Sequence, residues 1–438
     1  MGFSILRAAM DYFLLFYYTD VAGINPAMAG GALLVGKLTW DAINDPLFGY
    51  WSDRTRSRFG RRRIYMLLAA APIAIATWIQ FSLPYGMTGI GAFLAVLLTF
   101  WLKDTFITMA VVPYYAMAPE LTRDYQERSS VATFRGVASV IGYILGGAGT
   151  MLLAGIYKGA GLNLQLAWSA TGATYGLVAM VLLLVTTLTV KERPELAGEP
   201  SRLPPVKAML LCFKNRPFVI LTIVYMLGIF AFTVQAAVFP YLLQYQLNMA
   251  GQIPAVMAVA MATIGIFLIP AKWVADKINK GPAYALGLFI TATAFILAFF
   301  FLPQSNTPWV YLVAVIVGIG FSAQWIFPFA MLPDVIEHDE KMTGERREGI
   351  YYGISNFMTK FSMALGIAVT GWALSWYGYV PNAVQTENAL FGIRFFYAVV
   401  PATVLFICLP FLIRYPITQK SHTSLVQELA DEKAALKK

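Results

Sequence analysis

Long apolar stretches recur along the chain, each about as long as a bilayer core is thick. A core of about 30 Å needs roughly 20 mostly apolar residues per helix. The stretches are continuous, whereas membrane β-strands alternate apolar and polar residues over about ten positions. We therefore predict an all-α membrane protein with twelve transmembrane helices, at residues 4–22, 29–50, 64–84, 90–117, 130–157, 163–190, 218–246, 250–273, 282–302, 308–332, 350–377 and 390–414.

The charge distribution supports a membrane location. Hydrophobic residues make up 58% of the chain and charged residues 13%, which excludes an ordinary soluble domain. A net charge of +9 would suit nucleic acid, but the cations concentrate in alternate connections between spans, which is how membrane orientation is specified. This pattern predicts an inner-membrane protein surrounded by lipid, with both termini in the cytoplasm and no nucleic-acid partner.

The longest polar interruption, at 191–217, divides the predicted spans six and six. It predicts a cytoplasmic linker between an N-terminal bundle at 1–190 and a C-terminal bundle at 218–414. The tail at 415–438 is predicted to be a charged cytoplasmic helix.

Two connections repeat one pattern. YWSDRTRSRFGRRR follows the second predicted span and KWVADKINKGPA follows the eighth, each with an aromatic residue, Asp, a basic residue and Gly. This pairing resembles the loops of the major facilitator superfamily. The resemblance implies the major facilitator fold, in which two six-helix bundles surround a central cavity and alternate its access.

The second predicted span carries three ionisable residues, although each costs about 2.5–3.5 kcal/mol at a helix centre. Lys37, Asp41 and Asp45 recur at every fourth position, which places them on one helical face beside Asn44. Carboxylate and amide oxygens are ligands that Na⁺ and other hard cations prefer. Two alternatives stay open: crowded carboxylates can hold a proton, or the charges only pair to join helices.

The string WDAINDP at 40–46 resembles the glycoside–pentoside–hexuronide cation symporters, a family within that superfamily. The resemblance extends to YYTDVAG at 17–23 and to the stretches at 112–136 and 332–360. It implies a symporter that moves a glycoside-like or anionic solute, as a monomer, with Na⁺, H⁺ or Li⁺ as the coupling cation and no permanent cofactor. No Ser–His–Asp set, Walker loop or metal-binding Cys/His spacing is visible, so the sequence does not predict an enzyme.

The resemblance also implies roles for individual residues. The predicted cation-binding residues are Asp41, Asn44, Asp45 and Thr108, with Asp41 and Asp45 as the carboxylate ligands of a coupling Na⁺. The predicted substrate-binding residues are Tyr114, Tyr115, Arg135, Trp325 and Lys360. From the residues themselves, Lys37, Arg7 and Asp11 are predicted to balance charge. Lys37 is expected to neutralise the site when the cation leaves, while Arg7 and Asp11 are expected to pair with each other or with neighbouring helices, or else to offer the solute a substitute polar contact.

The chain departs from the sugar-binding members of the family at two positions. Their first-span and fourth-span aspartates are replaced by Ser4 and Val111, and neither replacement makes a charge-assisted hydrogen bond to a sugar hydroxyl. With Arg135 and Lys360 retained, an acidic glycoside or a lipid-like anion is the expected solute. The alternative function is a lysolipid or amphiphile transporter, or a flippase, on the same fold.

Overall fold

The computed structural model describes residues 1–117, 125–190, 192, 212–303, 307–343 and 348–435. Within these ranges the chain is helical between short connections and has no β-strand, which confirms the all-α prediction. The α-helices are α1 (Gly2–Phe16), α2 (Pro26–Gly36), α3 (Ala42–Arg54), α4 (Arg63–Gln80), α5 (Gly89–Met117), α6 (Tyr125–Gly159), α7 (Leu164–Thr189), α8 (Arg216–Tyr241), α9 (Ile253–Ile278), α10 (Lys280–Phe301), α11 (Trp309–Thr343), α12 (Glu348–Trp376), α13 (Glu387–Arg394), α14 (Val400–Ile413) and α15 (Gln419–Ala435).

Several of these helices are continued or joined by π turns, in which the backbone bonds from residue i to i+5. The π turns are Tyr17–Val21, Lys37–Asp41, Leu242–Gln246 and Phe395–Val399. The second joins α2 to α3, so that one interrupted helix runs from Pro26 to Arg54, and the fourth joins α13 to α14 in the same way. Such turns occur often at functional sites.

Ten helices in the described ranges are long and apolar enough to cross a membrane, and they correspond to the third to twelfth predicted spans. A multi-pass membrane protein is therefore confirmed. The first two predicted spans correspond to Gly2–Val21 and Pro26–Arg54, each interrupted by a π turn. Their place in the membrane, and with it the count of twelve, stays a prediction.

The helices form two compact units. Unit 1 contains Met1–Pro200, Ala236–Met261 and Ala364–Ile393, and unit 2 contains Ser201–Gln235, Ala262–Met363 and Arg394–Lys438. Parts of α8, α9 and α12 thus belong to unit 1, although they follow the linker in the chain. The predicted bundles at 1–190 and 218–414 divide the chain by connectivity instead and stay a prediction.

Close helix contacts in unit 1 depend on small residues. A Cβ atom added to Gly146 of α6 would lie 2.2 Å from the carbonyl oxygen of Ile5 in α1. One added to Gly176 of α7 would lie 2.6 Å from the carbonyl oxygen of Ala74 in α4. Small residues let membrane helices approach until their backbones touch, and these two contacts fix α1 and α4 against their neighbours.

The basic connection after α3 is tied to the start of the linker. Both carboxylate oxygens of Glu192 accept hydrogen bonds from backbone N–H groups of Arg61, Arg62 and Arg63, at 2.6–2.8 Å. An acidic side chain at a helix start satisfies N–H groups that have no partner inside the helix. The two segments predicted to be cytoplasmic therefore lie at the same end of unit 1.

In unit 2, α11 continues to Thr343, so the predicted end at 332 is wrong. Pro333 lacks an N–H and disturbs the carbonyl groups of the preceding turn. The Lys280 ammonium compensates, because it donates to the Ala330 carbonyl oxygen at 2.9 Å and to Asp334 Oδ2 at 2.6 Å. His338, predicted to lie in a loop, is consequently on this helix.

The tail forms the predicted helix, α15, which packs against the end of α11. His422 Nε2 lies 2.7 Å from Glu337 Oε2, and Lys341 pairs with Glu428. These contacts fix the start of the tail to unit 2.

Candidate functional site

The motif of the second predicted span lies on the π turn and the first turns of α3. Asp41 ends the π turn and is 5% exposed, and Asn44 is 2% exposed. Asp45, one residue further, is partly buried. The polar groups of this motif therefore face protein, in agreement with the expected inward-facing surface.

Helix α5 supplies the partners of this motif. The Thr108 hydroxyl lies 3.4 Å from Asp45 Oδ1, and Asn44 Nδ2 donates to Asp104 Oδ2 at 3.2 Å. Thr108 and Asp45 thus lie next to each other, and their role as cation ligands stays a prediction. Because the amide nitrogen of Asn44 donates to Asp104, the amide oxygen is the atom of this side chain that can bind a cation.

Indole groups hold this helix pair in register. Trp40 and Trp101 stack with ring centroids 5.2 Å apart. Trp40 Nε1 donates to Thr105 Oγ1 at 2.8 Å, and Trp101 Nε1 donates to the Gly36 carbonyl oxygen at 3.3 Å. The Gly36 carbonyl lies directly before the π turn, where the helical bonding pattern changes.

The charge-balancing residues lie on α1 and the π turn. Asp11 is 5% exposed, accepts a hydrogen bond from the Tyr143 hydroxyl at 3.0 Å, and lies 3.7 Å from Arg7 Nε. The ion pair expected between Arg7 and Asp11 is present. Lys37 interacts electrostatically with Asp11 and Asp41, so α1 and the second predicted span share one set of charges.

Two charged residues of α5 were missed from the sequence. Asp104 holds Asn44, and Lys103 is 2% exposed and interacts electrostatically with Asp104, Asp41 and Asp11. The sequence feature that could have identified them is an adjacent pair of a basic and an acidic residue inside a predicted span. We use the name charge cluster for Arg7, Asp11, Lys37, Asp41, Asp45, Lys103 and Asp104.

Three of the predicted substrate-binding residues lie together in unit 1. The Arg135 guanidinium lies 5.4 Å from the ring centroid of Tyr115, and the rings of Tyr114 and Tyr115 are 5.4 Å apart. Tyr115 and Arg135 are both exposed. Seven residues separate Thr108 from Tyr115 on α5, a rise of about 10 Å along one face.

The other two predicted substrate-binding residues belong to unit 2. Trp325 of α11 is partly buried, and its ring packs edge-on against Phe232 with centroids 6.2 Å apart. Lys360 of α12 is partly buried and lies twelve residues after the start of the helix, about 18 Å along its axis. Lys360 therefore lies ten residues inside the candidate membrane span Ile350–Trp376.

Asp20 is a further buried carboxylate of unit 1, and no role was assigned to it from the sequence. Asp20 is 2% exposed. Its Oδ1 accepts hydrogen bonds from the hydroxyls of Tyr245 and Tyr379, the latter at 2.6 Å, and its Oδ2 accepts one from Thr19 at 2.6 Å. Asn382 Nδ2 donates to the Asp20 backbone oxygen at 2.7 Å. Asp20 therefore joins the end of α1 to the segments after α8 and α12.

The site differs from a conventional metal centre. In the described part of the chain, no three His, Cys, Asp or Glu side chains are grouped so that they could hold a metal ion. The predicted ligands instead combine carboxylates with amide and hydroxyl oxygens, a set that suits a weakly held, exchanging cation.

Comparison with known proteins identifies the relatives of this chain. The family model described as MFS/sugar transport protein matches residues 1–419. The glucuronide carrier protein homolog of Escherichia coli strain K12 is 25% identical, and the match covers 99% of this chain and 95% of the relative. The putative glycoside/cation symporter YagG of the same strain is also 25% identical, with 98% and 92% covered.

A solved structure shows the same fold. The crystal structure of a POT family transporter in complex with 5-aminolevulinic acid matches with a TM-score of 0.65 and 14% identity, over 95% of each chain. At this identity the match supports the fold alone.

Proposed function

The chain belongs to the MFS/sugar transport protein family, and from this premise we propose that the charge cluster and α5 couple a cation to the movement of an acidic, glycoside-like solute. The family assignment confirms the major facilitator fold, secondary transport of glycoside-like solutes and the absence of an enzymatic role. The lysolipid alternative is not favoured, because the family is described by sugar transport.

The cation site is proposed at Asp41, Asn44, Asp45 and Thr108. The observation that carries this proposal is the meeting of Thr108 with Asp45, together with the hydrogen bond that turns the oxygen of Asn44 away from Asp104. Oxygen ligands of this kind suit Na⁺ and Li⁺, while a carboxylate alone suits H⁺. Since a relative is named a glycoside/cation symporter, a coupling cation is supported in general, and we propose Na⁺ as the first ion to test.

The charge count of the cluster supports a monovalent cation. Four carboxylates, those of Asp11, Asp41, Asp45 and Asp104, face three basic groups, those of Arg7, Lys37 and Lys103. With every group ionised, one negative charge remains in a region of low dielectric constant. A single bound cation neutralises it, which favours solute binding and closure around the filled site.

The solute is proposed to carry a negative charge beside a sugar-like ring. Arg135 offers a planar set of donors that suits a carboxylate, and it lies over the ring of Tyr115. The aromatic face of Tyr115 can pack against the apolar face of a sugar. Ser4 and Val111 remove the acidic contacts expected for a neutral sugar. One relative is named a glucuronide carrier homolog, which agrees with an acidic glycoside.

The two predicted sites communicate through α5. Thr108 lies at the proposed cation site, and Tyr114 and Tyr115 lie about two turns further along the same helix. A cation that draws Thr108 towards Asp45 thereby fixes the helix that presents the tyrosines. Cation binding and solute affinity are linked in this way, and the linkage is reciprocal.

The orientation in the membrane is proposed from charge. The arginine-rich segment 53–63 and the start of the linker lie at one end of unit 1, joined through Glu192. An excess of Arg and Lys marks the cytoplasmic side. We therefore place both termini in the cytoplasm and the protein in an inner membrane, as a monomer.

The test is uptake by purified protein in proteoliposomes, with labelled glucuronides and uncharged methyl glycosides as probes, under imposed Na⁺, Li⁺ or proton gradients. Asp45→Asn should abolish gradient-driven accumulation of glucuronides without loss of folded protein. Asp276→Asn, which removes the same charge from an exposed position at the end of α9, should retain accumulation. Gradient-driven accumulation that survives in Asp45→Asn would contradict the proposed cation site.

The acidic-solute proposal has its own variant. Arg135→Gln should raise the half-saturating concentration of a glucuronide about tenfold, the loss expected for one charge-assisted hydrogen bond. The same change should affect a neutral glycoside little. An equal effect on both probes would show that Arg135 does not recognise the acidic group.

A further inference from the structure

Lys103 is a buried cation, and its removal from water makes its position costly. It lies on α5 and is 2% exposed. Its ammonium donates to the thioether sulfur of Met10, a weak acceptor, and lies 5.5 Å from the ring centroid of Phe100. Within the described residues Lys103 makes no ion pair at contact distance. A lysine in a span without a contact partner calls for a functional explanation.

The carboxylates that attract Lys103 belong to the charge cluster. Lys103 interacts favourably with Asp104, Asp41 and Asp11 and is repelled by Lys37. Asp104 is the acceptor for Asn44, and Asp41 is a proposed cation ligand. Helix α5 therefore presents Asp104 to the cation site and a buried positive charge beside it.

The chemistry of lysine fits two positions. The ammonium is a compact charge on a flexible four-carbon stem, and rotation about the stem moves it without moving the helix. The ammonium loses little interaction energy when it leaves Met10, because a thioether sulfur is a weak acceptor. At Asp41 or Asp104 it would occupy the region in which a bound cation acts.

We propose that Lys103 is a tethered cation that competes with the coupling cation for the carboxylates of Asp41 and Asp104. Lys103 lies at Met10 when the coupling cation is bound, and it moves onto the carboxylates as that cation leaves. It thereby weakens cation binding and speeds release. The proposal rests on the cation site proposed above and identifies the residue that sets its affinity.

The test compares Lys103→Met, which removes the charge but keeps an unbranched side chain, with Lys103→Arg, which keeps the charge. The stabilisation of purified protein by Na⁺ and by Li⁺ is measured by thermal unfolding over a range of salt, with choline as the replacement ion. Lys103→Met should lower the half-saturating cation concentration about tenfold, as expected for one unit charge about 10 Å from the ion at an effective dielectric constant of about 20. Lys103→Arg should stay within about threefold of the wild type.

Transport separates this role from a purely structural one. Since Lys103→Met holds its cation more tightly, net cation-driven uptake should slow about tenfold while exchange of labelled for unlabelled solute is largely retained. Lys103→Gln provides a second charge-free variant in case Lys103→Met does not fold. Lys158→Met, which removes an exposed charge at the end of α6, is the matched control and should leave all three measurements unchanged.

The inference is overturned if the wild type responds to the cation and the charge-free variants respond at the same or higher concentration. A wild type that shows no stabilisation or uptake with Na⁺, Li⁺ or a proton gradient would overturn the cation site as well. These two results differ in the wild type, so the two proposals fail separately.

Discussion

The hydrogen bonds around Asp20 should make Tyr379 the critical hydroxyl of unit 1. Tyr379 is 5% exposed and its hydroxyl donates to Asp20 Oδ1 at 2.6 Å. A hydrogen bond to a charged group contributes about 1.5–3 kcal/mol. Tyr379→Phe should therefore destabilise this end of the unit by about 2 kcal/mol.

The other partners of Asp20 should contribute less, because water can replace one of them and the other shares its hydroxyl with further groups. Tyr245 is partly exposed, so in Tyr245→Phe water can donate to Asp20 in place of the lost hydroxyl. The Thr19 hydroxyl also lies 3.2 Å from the Phe16 carbonyl oxygen and 2.7 Å from the Tyr241 hydroxyl. We expect about 1 kcal/mol for Tyr245→Phe and about 3–4 kcal/mol for Asp20→Ala, less than the sum of three separate bonds.

Local opening is measured by the rate at which a maleimide reacts with Ala22→Cys, a fully buried position two residues after Asp20. Cys212 and Cys408 are replaced by Ser in this background. At about 1.4 kcal/mol per factor of ten, Tyr379→Phe should speed labelling about thirtyfold and Tyr245→Phe about fivefold. Tyr65→Phe, whose hydroxyl bonds Thr55 at 2.7 Å, is the control. A larger effect for Tyr245→Phe than for Tyr379→Phe would refute the reasoning.

Three further predictions concern packing, ligation and the proline of α11. Gly146→Ala should greatly reduce the yield of folded protein, measured by size-exclusion chromatography, because its Cβ would lie 2.2 Å from the Ile5 carbonyl oxygen. Gly155→Ala on the same helix is the control and should be tolerated, because a Cβ there meets nothing within 4 Å. Thr108→Val should raise the half-saturating Na⁺ concentration in thermal unfolding about fivefold to tenfold, and Thr108→Ser, which keeps the hydroxyl, should restore it; equal values would remove Thr108 from the site. Lys280→Met should destabilise unit 2 by about 1–2 kcal/mol in denaturant unfolding, because the Ala330 carbonyl oxygen and Asp334 Oδ2 lose the hydrogen bonds that Lys280 donates. The control Lys277→Met, at an exposed position, should leave the stability unchanged.

The spans were predictable because lipid imposes one requirement on every one of them. Each span needs about 20 apolar residues, and their backbone N–H and C=O groups must hydrogen-bond within the helix. This signal lies within each segment. The end of α11 was not predictable in this way. Pro333 is a normal signal for a helix end, but the turn before it is held by Lys280, which donates to the Ala330 carbonyl oxygen from 50 residues away in the chain.

The site was predictable where a local motif carried it. WDAINDP gave Asp41, Asn44 and Asp45, and Thr108 followed from the resemblance. Asp104 did not follow from the motif or the resemblance, because its role depends on contact with Asn44 across 60 residues. When the fourth span is aligned on Pro113, the position compared with the family's aspartate is that of Val111, not that of Asp104. Lys103 was overlooked for the same reason, although an ionisable pair inside an apolar span was a visible signal.

The π turn explains how the charges of the second predicted span share one face. An α-helix turns about 100° per residue, so eight residues would place Lys37 and Asp45 about 80° apart. A π turn advances by only about 80° per residue, and four such steps from Lys37 to Asp41 remove the whole of that difference, so that Lys37 and Asp45 lie at nearly the same angle around the helix axis. The expected common face is therefore obtained by a local change of helical period. Asp41 ends this irregular turn and is also a proposed cation ligand, so the bonding pattern of the turn and the geometry of the cation site are linked through this residue.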